Sequence, residues 1–129
     1  MKNKKTLSLW IGNLDSTEEF DSYMMTAFDQ EDGYSKSYFM GDFNLDCIDE
    51  ELVEASIRNK RTIDVETLLK DFSFFDSFKT EILKRVQLSK KSNVVVILYD
   101  YFIDDCNYEE IKVNKGYMKF CGTYEYLED

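Results

Sequence analysis

The run Ser92-Asn93-Val94-Val95-Val96-Ile97-Leu98-Tyr99-Asp100-Tyr101 constrains this chain more than any other stretch. From Val94 to Leu98 every residue is apolar, and most are β-branched, so neither face of an extended segment could be left in water. A strand of this kind is covered on both sides and sits inside a sheet. The rest of the chain must supply neighbouring strands and cover. The run ends in a carboxylate, Asp100, and an acidic segment to Glu110 follows it.

The neighbours are visible as patterns. Thr6 to Ile11 alternates, with Leu7, Leu9 and Ile11 on one face, and reads as a first strand. Ser16-Thr17-Glu18-Glu19 is a capping box, so a helix starts there, with Phe20, Tyr23, Met24 and Ala27 as its apolar stripe. Ser35 to Phe43 reads as a short helix and Leu45 to Ile48 as a short edge strand. Asn59-Lys60-Arg61 reads as a basic turn. Asp64 caps a helix carrying Val65, Leu68 and Leu69. After a break near Ser73 a longer helix runs to about Ser89, with Phe75, Phe78, Ile82 and Val86 on one face. Ile111 and Val113 alternate with polar residues before Asn114-Lys115-Gly116, a turn in which Gly would supply positive φ. A last strand, Tyr117 to Tyr124, closes a hairpin. Gly12 and Gly122 fit a turn and a bulge respectively. These signals predict an α/β or α+β fold. The expected architecture is a single mixed, largely antiparallel β-sheet with helices packed mainly on one face. At 129 residues one domain spanning 1–129 is expected.

Charge narrows the functional classes. The net charge of −10 disfavours nucleic acid and anionic membranes as partners and favours basic proteins. Between Gly12 and Ile57 thirteen acids face a single base, Lys36, whereas from Arg58 to Lys91 nine bases outnumber five acids. Histidine is absent, which removes the commonest general base and metal ligand. Cys47, Cys106 and Cys121 are odd in number and widely spaced, as expected of free thiols in a reducing compartment. A secretory leader needs roughly 7–15 consecutive apolar residues. The alternating run after Lys5 does not provide them, so the expected location is the cytoplasm. The acidic turn from Asp29 to Gly33 puts Phe28 where a calcium loop needs Asp, so that reading is set aside.

Two acidic clusters are the candidate sites: Asp46, Asp49, Glu50, Glu51 and Glu54, then Asp100, Asp104, Asp105, Glu109 and Glu110. They are either solvated surface or a patch that docks a basic protein. Tyr101 and Phe102 stand among them as aromatic anchors or as caps on the sheet edge, with Tyr99 and Tyr108 nearby. A carboxylate-metal hydrolase using Asp49 and Asp100 is the weaker chemistry, because no ligand spacing or nucleophile elbow accompanies them. No enzyme activity, metal or cofactor is therefore expected. Trp10 lies opposite Leu9 and Ile11, and either packs beneath a helix or faces a partner.

Five pieces, in order, resemble one family. They are Leu9-Trp10-Ile11-Gly12-Asn13; Tyr23; Ser37 with Phe39 and Asp42-Phe43, followed by Ile48 to Glu54; Asn93 to Tyr101; and Phe120-Cys121-Gly122-Thr123-Tyr124. Together they resemble the Immunity protein 22 family of bacterial polymorphic toxin systems. Where that family's middle block commonly has a second Asp followed by an aromatic, this chain has Glu50-Glu51-Leu52. The resemblance implies an immunity protein that binds and neutralises a cognate toxin, such as a nuclease with a basic surface. The partner-binding residues expected from the chemistry are Asp46, Asp49, Glu50, Glu54, Asp100, Tyr101, Phe102, Asp104 and Asp105. The alternative is a generic acidic module for a basic peptide or protein. The sequence leaves the oligomeric state open.

Overall fold

The structure is a computed structural model that describes residues 3–25, 27–29, 34–45, 48–101 and 110–128. Its main sheet has five strands, all antiparallel. They are β1 (Asn3–Asn13), β4 (Val53–Thr62), β5 (Ser92–Tyr99), β6 (Glu110–Val113) and β7 (Gly116–Glu128), in the order β4-β5-β1-β7-β6. A separate two-stranded ribbon pairs β2 (Ala27–Asp29) with β3 (Tyr34–Lys36). The helices are α1 (Thr17–Met24), α2 (Tyr38–Asp42), α3 (Val65–Leu69) and α4 (Phe75–Arg85), and a 3₁₀ turn covers Glu50–Leu52. This is the expected α+β class with a single antiparallel sheet.

Every residue of β5 is buried, as its composition demands. It is an interior strand between β4 and β1, and the middle place belongs to β1. Its two-faced apolarity also decides where the helices go. Val95, Ile97 and Tyr99 join Leu7, Leu9 and Ile11 of β1 under α3 and α4, including Phe75, Phe78 and Ile82 of the anticipated stripe. Val94, Val96 and Leu98 join Trp10, Met118 and Phe120 under α1 and α2, through Tyr23, Phe39 and Met40. Helical cover is therefore two-sided instead of mainly on one face. A strand apolar on both faces cannot leave either to solvent.

Local signals explain most boundaries. Ser16 Oγ accepts from Glu19 N–H at 3.1 Å, so the capping box starts α1, and Ser37 Oγ does the same for α2 by accepting from Met40 N–H. The β1–β7 register shifts between Leu9 and Trp10, so that Leu9 faces Gly122 and Trp10 faces Phe120. Gly122 sits at that bulge with φ +113°, as its position suggested. Gly12 is not in a turn. It lies in β1, and a Cβ there would stand 2.2 Å from Tyr117 O and 2.3 Å from Met118 Sδ. In the β6–β7 hairpin the positive φ belongs to Asn114 at 53°, which tolerates it, and Gly116 instead allows close approach to β1.

Sequence patterning misses the β2–β3 ribbon, which takes Ala27 from the expected α1 stripe and Ser35 and Lys36 from the expected helix, and it misses β4. Val53, Ala55 and Ile57 pack partly on the α1–α2 face, while Glu54, Ser56 and Arg58 fall on the other. Asn59-Lys60-Arg61 is a register irregularity within this edge strand instead of a free turn. The expected strand at Leu45 to Ile48 lies partly outside the described residues, as do the Asp29–Gly33 turn, Cys47 and Cys106. Cys121 is a buried free thiol whose pKa burial pushes up to about 12 against the lowering charge of Lys119.

The glycines give a paired test. Gly12→Ala drives a methyl into the Tyr117 carbonyl and is expected to cost about 3 kcal/mol, the upper end for overpacking. Gly41→Ala in α2 meets nothing within 4 Å and is expected to stabilise by about 0.5–1 kcal/mol. Urea unfolding of both variants checks the two signs.

Candidate functional site

Antiparallel pairing brings four chain segments to the C-terminal end of β5. Val53 of β4 lies opposite Leu98, Leu7 of β1 opposite Tyr99, and Tyr126 of β7 opposite Lys5 of β1. The α3–α4 connection, at Ser73 and Phe74, closes over the same end.

Glu54 and Asp100, assigned to separate clusters by sequence, meet here on either side of a tyrosine pair. Tyr99 and Tyr126 stack edge to face at 5.2 Å between centroids. Tyr99 Oη donates to Glu54 Oε1 at 2.5 Å and lies 3.1 Å from Ser73 O. Both Glu54 oxygens also accept from Ser73 N–H, at 3.2 and 3.3 Å. Burial, then the hydrogen bond to Glu54, then its negative charge raise the Tyr99 pKa far above the usual phenol range, so Tyr99 is a permanent donor. Tyr126 Oη donates to Asp100 Oδ1 at 3.0 Å, and Lys5 Nζ stands 3.5 Å from Asp100 Oδ2. Asp100 itself is left-handed, φ 60°, with its N–H donating to Thr6 O at 2.7 Å. β5 ends just before it, at Tyr99. Asp is among the few residues that adopt the left-handed conformation at low cost.

Phe74 completes the end and had no sequence signal. Its ring lies 5.1 Å from Tyr126 and 5.7 Å from Tyr99, yet it is 39% exposed. Its backbone is also left-handed, φ 63°, which is an outlier for a bulky side chain. The sequence shows only two adjacent phenylalanines, and helical spacing selects Phe75 for the core.

The remaining expected residues divide. Asp49 is exposed and caps the 3₁₀ turn, its Oδ1 accepting from Glu51 N–H at 3.0 Å. Glu50 lies in that turn. Tyr101 is half-buried against the Trp10 and Phe120 cluster, with its carbonyl accepting from Ser8 Oγ at 2.7 Å. Asp46, Phe102, Asp104 and Asp105 lie outside the described residues, as do Tyr108 and Glu109. Glu110 opens β6 and pairs with Lys90 Nζ at 2.6 Å, so it belongs elsewhere in the fold. Among the described residues no group of three or more Asp, Glu or Cys gathers to hold a metal ion, and Asp49 and Asp100 do not form one.

The fold is a small α+β domain, a single antiparallel sheet covered on both faces, with a carboxylate–tyrosine arrangement at the C-terminal end of β5. The family model for Immunity protein 22 matches residues 7–127. The chain belongs to the Immunity protein 22 family. No curated protein matches it. No solved structure matches it either. No helix among the described residues is long and apolar enough to cross a membrane.

Proposed function

We propose that this chain is a non-enzymatic immunity protein of the cytoplasm that binds a cognate toxin domain through the acidic and aromatic end of β5. Membership of an immunity-protein family carries the toxin-neutralising role. Glu54 and Asp100 flank Tyr99, Tyr126 and the exposed Phe74. Asp49 and Glu50 lead into β4 at this end, and Asp104 and Asp105 follow Asp100-Tyr101-Phe102 in the chain. A surface with an aromatic centre and carboxylate surroundings suits a basic partner. Phe74, the exposed ring over the buried Tyr99 and Tyr126, supplies area at low entropic cost, and the acids steer association. An inhibitor of net charge −10 laid over a basic active site would also repel a nucleic-acid substrate.

The test is co-expression with the product of the adjacent gene, as the candidate toxin. The expected result is a complex that survives size-exclusion chromatography and restores growth to toxin-producing cells. A toxin that neither binds nor is neutralised, alongside tight binding to an unrelated basic protein, would favour a generic acidic module instead.

A further inference from the structure

The opposite end of the sheet has the reverse charge. Where β1 and β6 finish and β5 and β7 begin, a pocket of about 370 Å³ is lined by Lys90, Lys91, Lys112 and Lys115, with Glu110 and Tyr117. One carboxylate thus serves four lysines. Glu110 is already spent on Lys90, whose Nζ also lies 4.7 Å from the Tyr117 ring centroid. Lys91, Lys112 and Lys115 have no carboxylate partner among the described residues. Arg61 lies beside the pocket, its Nε donating to the lining residue Asn13 at 2.5 Å, but it is already paired with Asp15 at 4.0 Å.

The fold holds this concentration of charge in place. Lys112 is on β6 and Lys115 in the hairpin turn. That turn is pressed onto β1 so closely that a Cβ on Gly116 would lie 1.8 Å from Asn13 O. Lys90 and Lys91 enter from the residues just before β5. The lysines therefore come from two segments pinned to rigid strands. A concave site walled by protein focuses the field of its charges on a small anion. Lysines without a carboxylate partner among the described residues repel one another across this pocket, a cost that a bound anion would relieve.

We propose that this pocket is a binding site for a compact, multiply charged phosphate anion. A pocket of about 370 Å³ falls in the range of small-molecule sites. A long polyanion would have to pass the acidic remainder of the surface, so a compact ligand is favoured over nucleic acid. The site lies away from the carboxylate end of β5 and does not rest on the toxin reading.

Isothermal titration of the full chain with inorganic tripolyphosphate, and separately with ATP, tests this. Saturable binding of either is expected. Binding of both assigns recognition to the phosphates, and binding of ATP alone to a nucleotide. The Lys112→Gln/Lys115→Gln variant is expected to weaken binding by about tenfold per lysine, the size of one charge-assisted hydrogen bond. Lys84→Gln, on exposed α4, is expected to change nothing. Circular dichroism melting of each variant separates lost binding from lost fold. No saturation by about 10 mM of either probe would overturn the site, since that corresponds to less than about 3 kcal/mol of binding. So would equal binding by the double variant, or tighter binding of a short DNA oligonucleotide than of tripolyphosphate.

Discussion

Association with the toxin slows by roughly tenfold to a hundredfold at low salt when Asp100→Asn is combined with Asp104→Lys and Asp105→Lys, the size expected from removing electrostatic steering. Asn is chosen at position 100 because it tolerates the left-handed backbone there and its Oδ1 still accepts from Tyr126 Oη. The fold is therefore kept while the charge goes. The loss should fall on the association rate, and the salt dependence of that rate should flatten, because exposed charges act over a Debye length of about 10 Å at 0.1 M salt. Stopped-flow association over a salt series measures both. The control is Asp76→Lys with Glu81→Lys on the exposed face of α4, which changes net charge nearly as much on another part of the surface. Equal slowing by the control would reduce the effect to overall charge and remove the site.

What could be read from the sequence follows from how local each cause is. The Val94–Leu98 run, the Leu7/Leu9/Ile11 alternation, the Ser16 cap and Phe75, Phe78 and Ile82 are signals within one element and appear where expected, whereas Val86, the fourth member of that stripe, is buried beyond the end of α4 at Arg85, short of the expected Ser89. β4 was not legible. Its inward residues on the α1–α2 face are Val53, Ala55 and Ile57, partly exposed at a sheet edge, and its other face carries Glu54, Ser56 and Arg58. Such a strand has too little apolar contrast to stand out from an acidic loop followed by a basic turn. The candidate site shows the same division. Asp100 was legible because it ends an unmistakable strand. That Glu54 would hydrogen-bond Tyr99, and that Phe74 would cover the pair, depends on β4 lying beside β5 and on a left-handed residue before α4. No residue-level pattern encodes either. The lysine pocket was hidden for the same reason. Its residues lie in two stretches, Lys90-Lys91 and Glu110 to Tyr117, and only the β6–β7 hairpin's position against β1 unites them.

The largest loss of stability is expected at Trp10. Its side chain is 0% exposed and central to the α1–α2 face, with Phe39 at 5.0 Å, Phe43 at 5.7 Å and Phe120 at 5.0 Å between ring centroids. Trp10→Ala removes these contacts and leaves a cavity that α2, one of the shortest helices, must either span or collapse into. The expected cost is about 3–5 kcal/mol, which lowers the melting temperature by about 10–20 °C for a domain of this size. Trp10→Phe should cost far less. The indole Nε1–H is buried without a hydrogen-bond partner among the described residues, a burden of about 1–3 kcal/mol that phenylalanine does not carry. Phenylalanine also keeps an aromatic ring among Phe39, Phe43 and Phe120. Circular dichroism melting ranks the two variants without relying on the fluorescence of this sole tryptophan. Similar losses for both would mean that the indole's shape, and not its unpaired N–H, dominates the energetics of this face. Trp10 would then have to be read as a residue selected for fit alone.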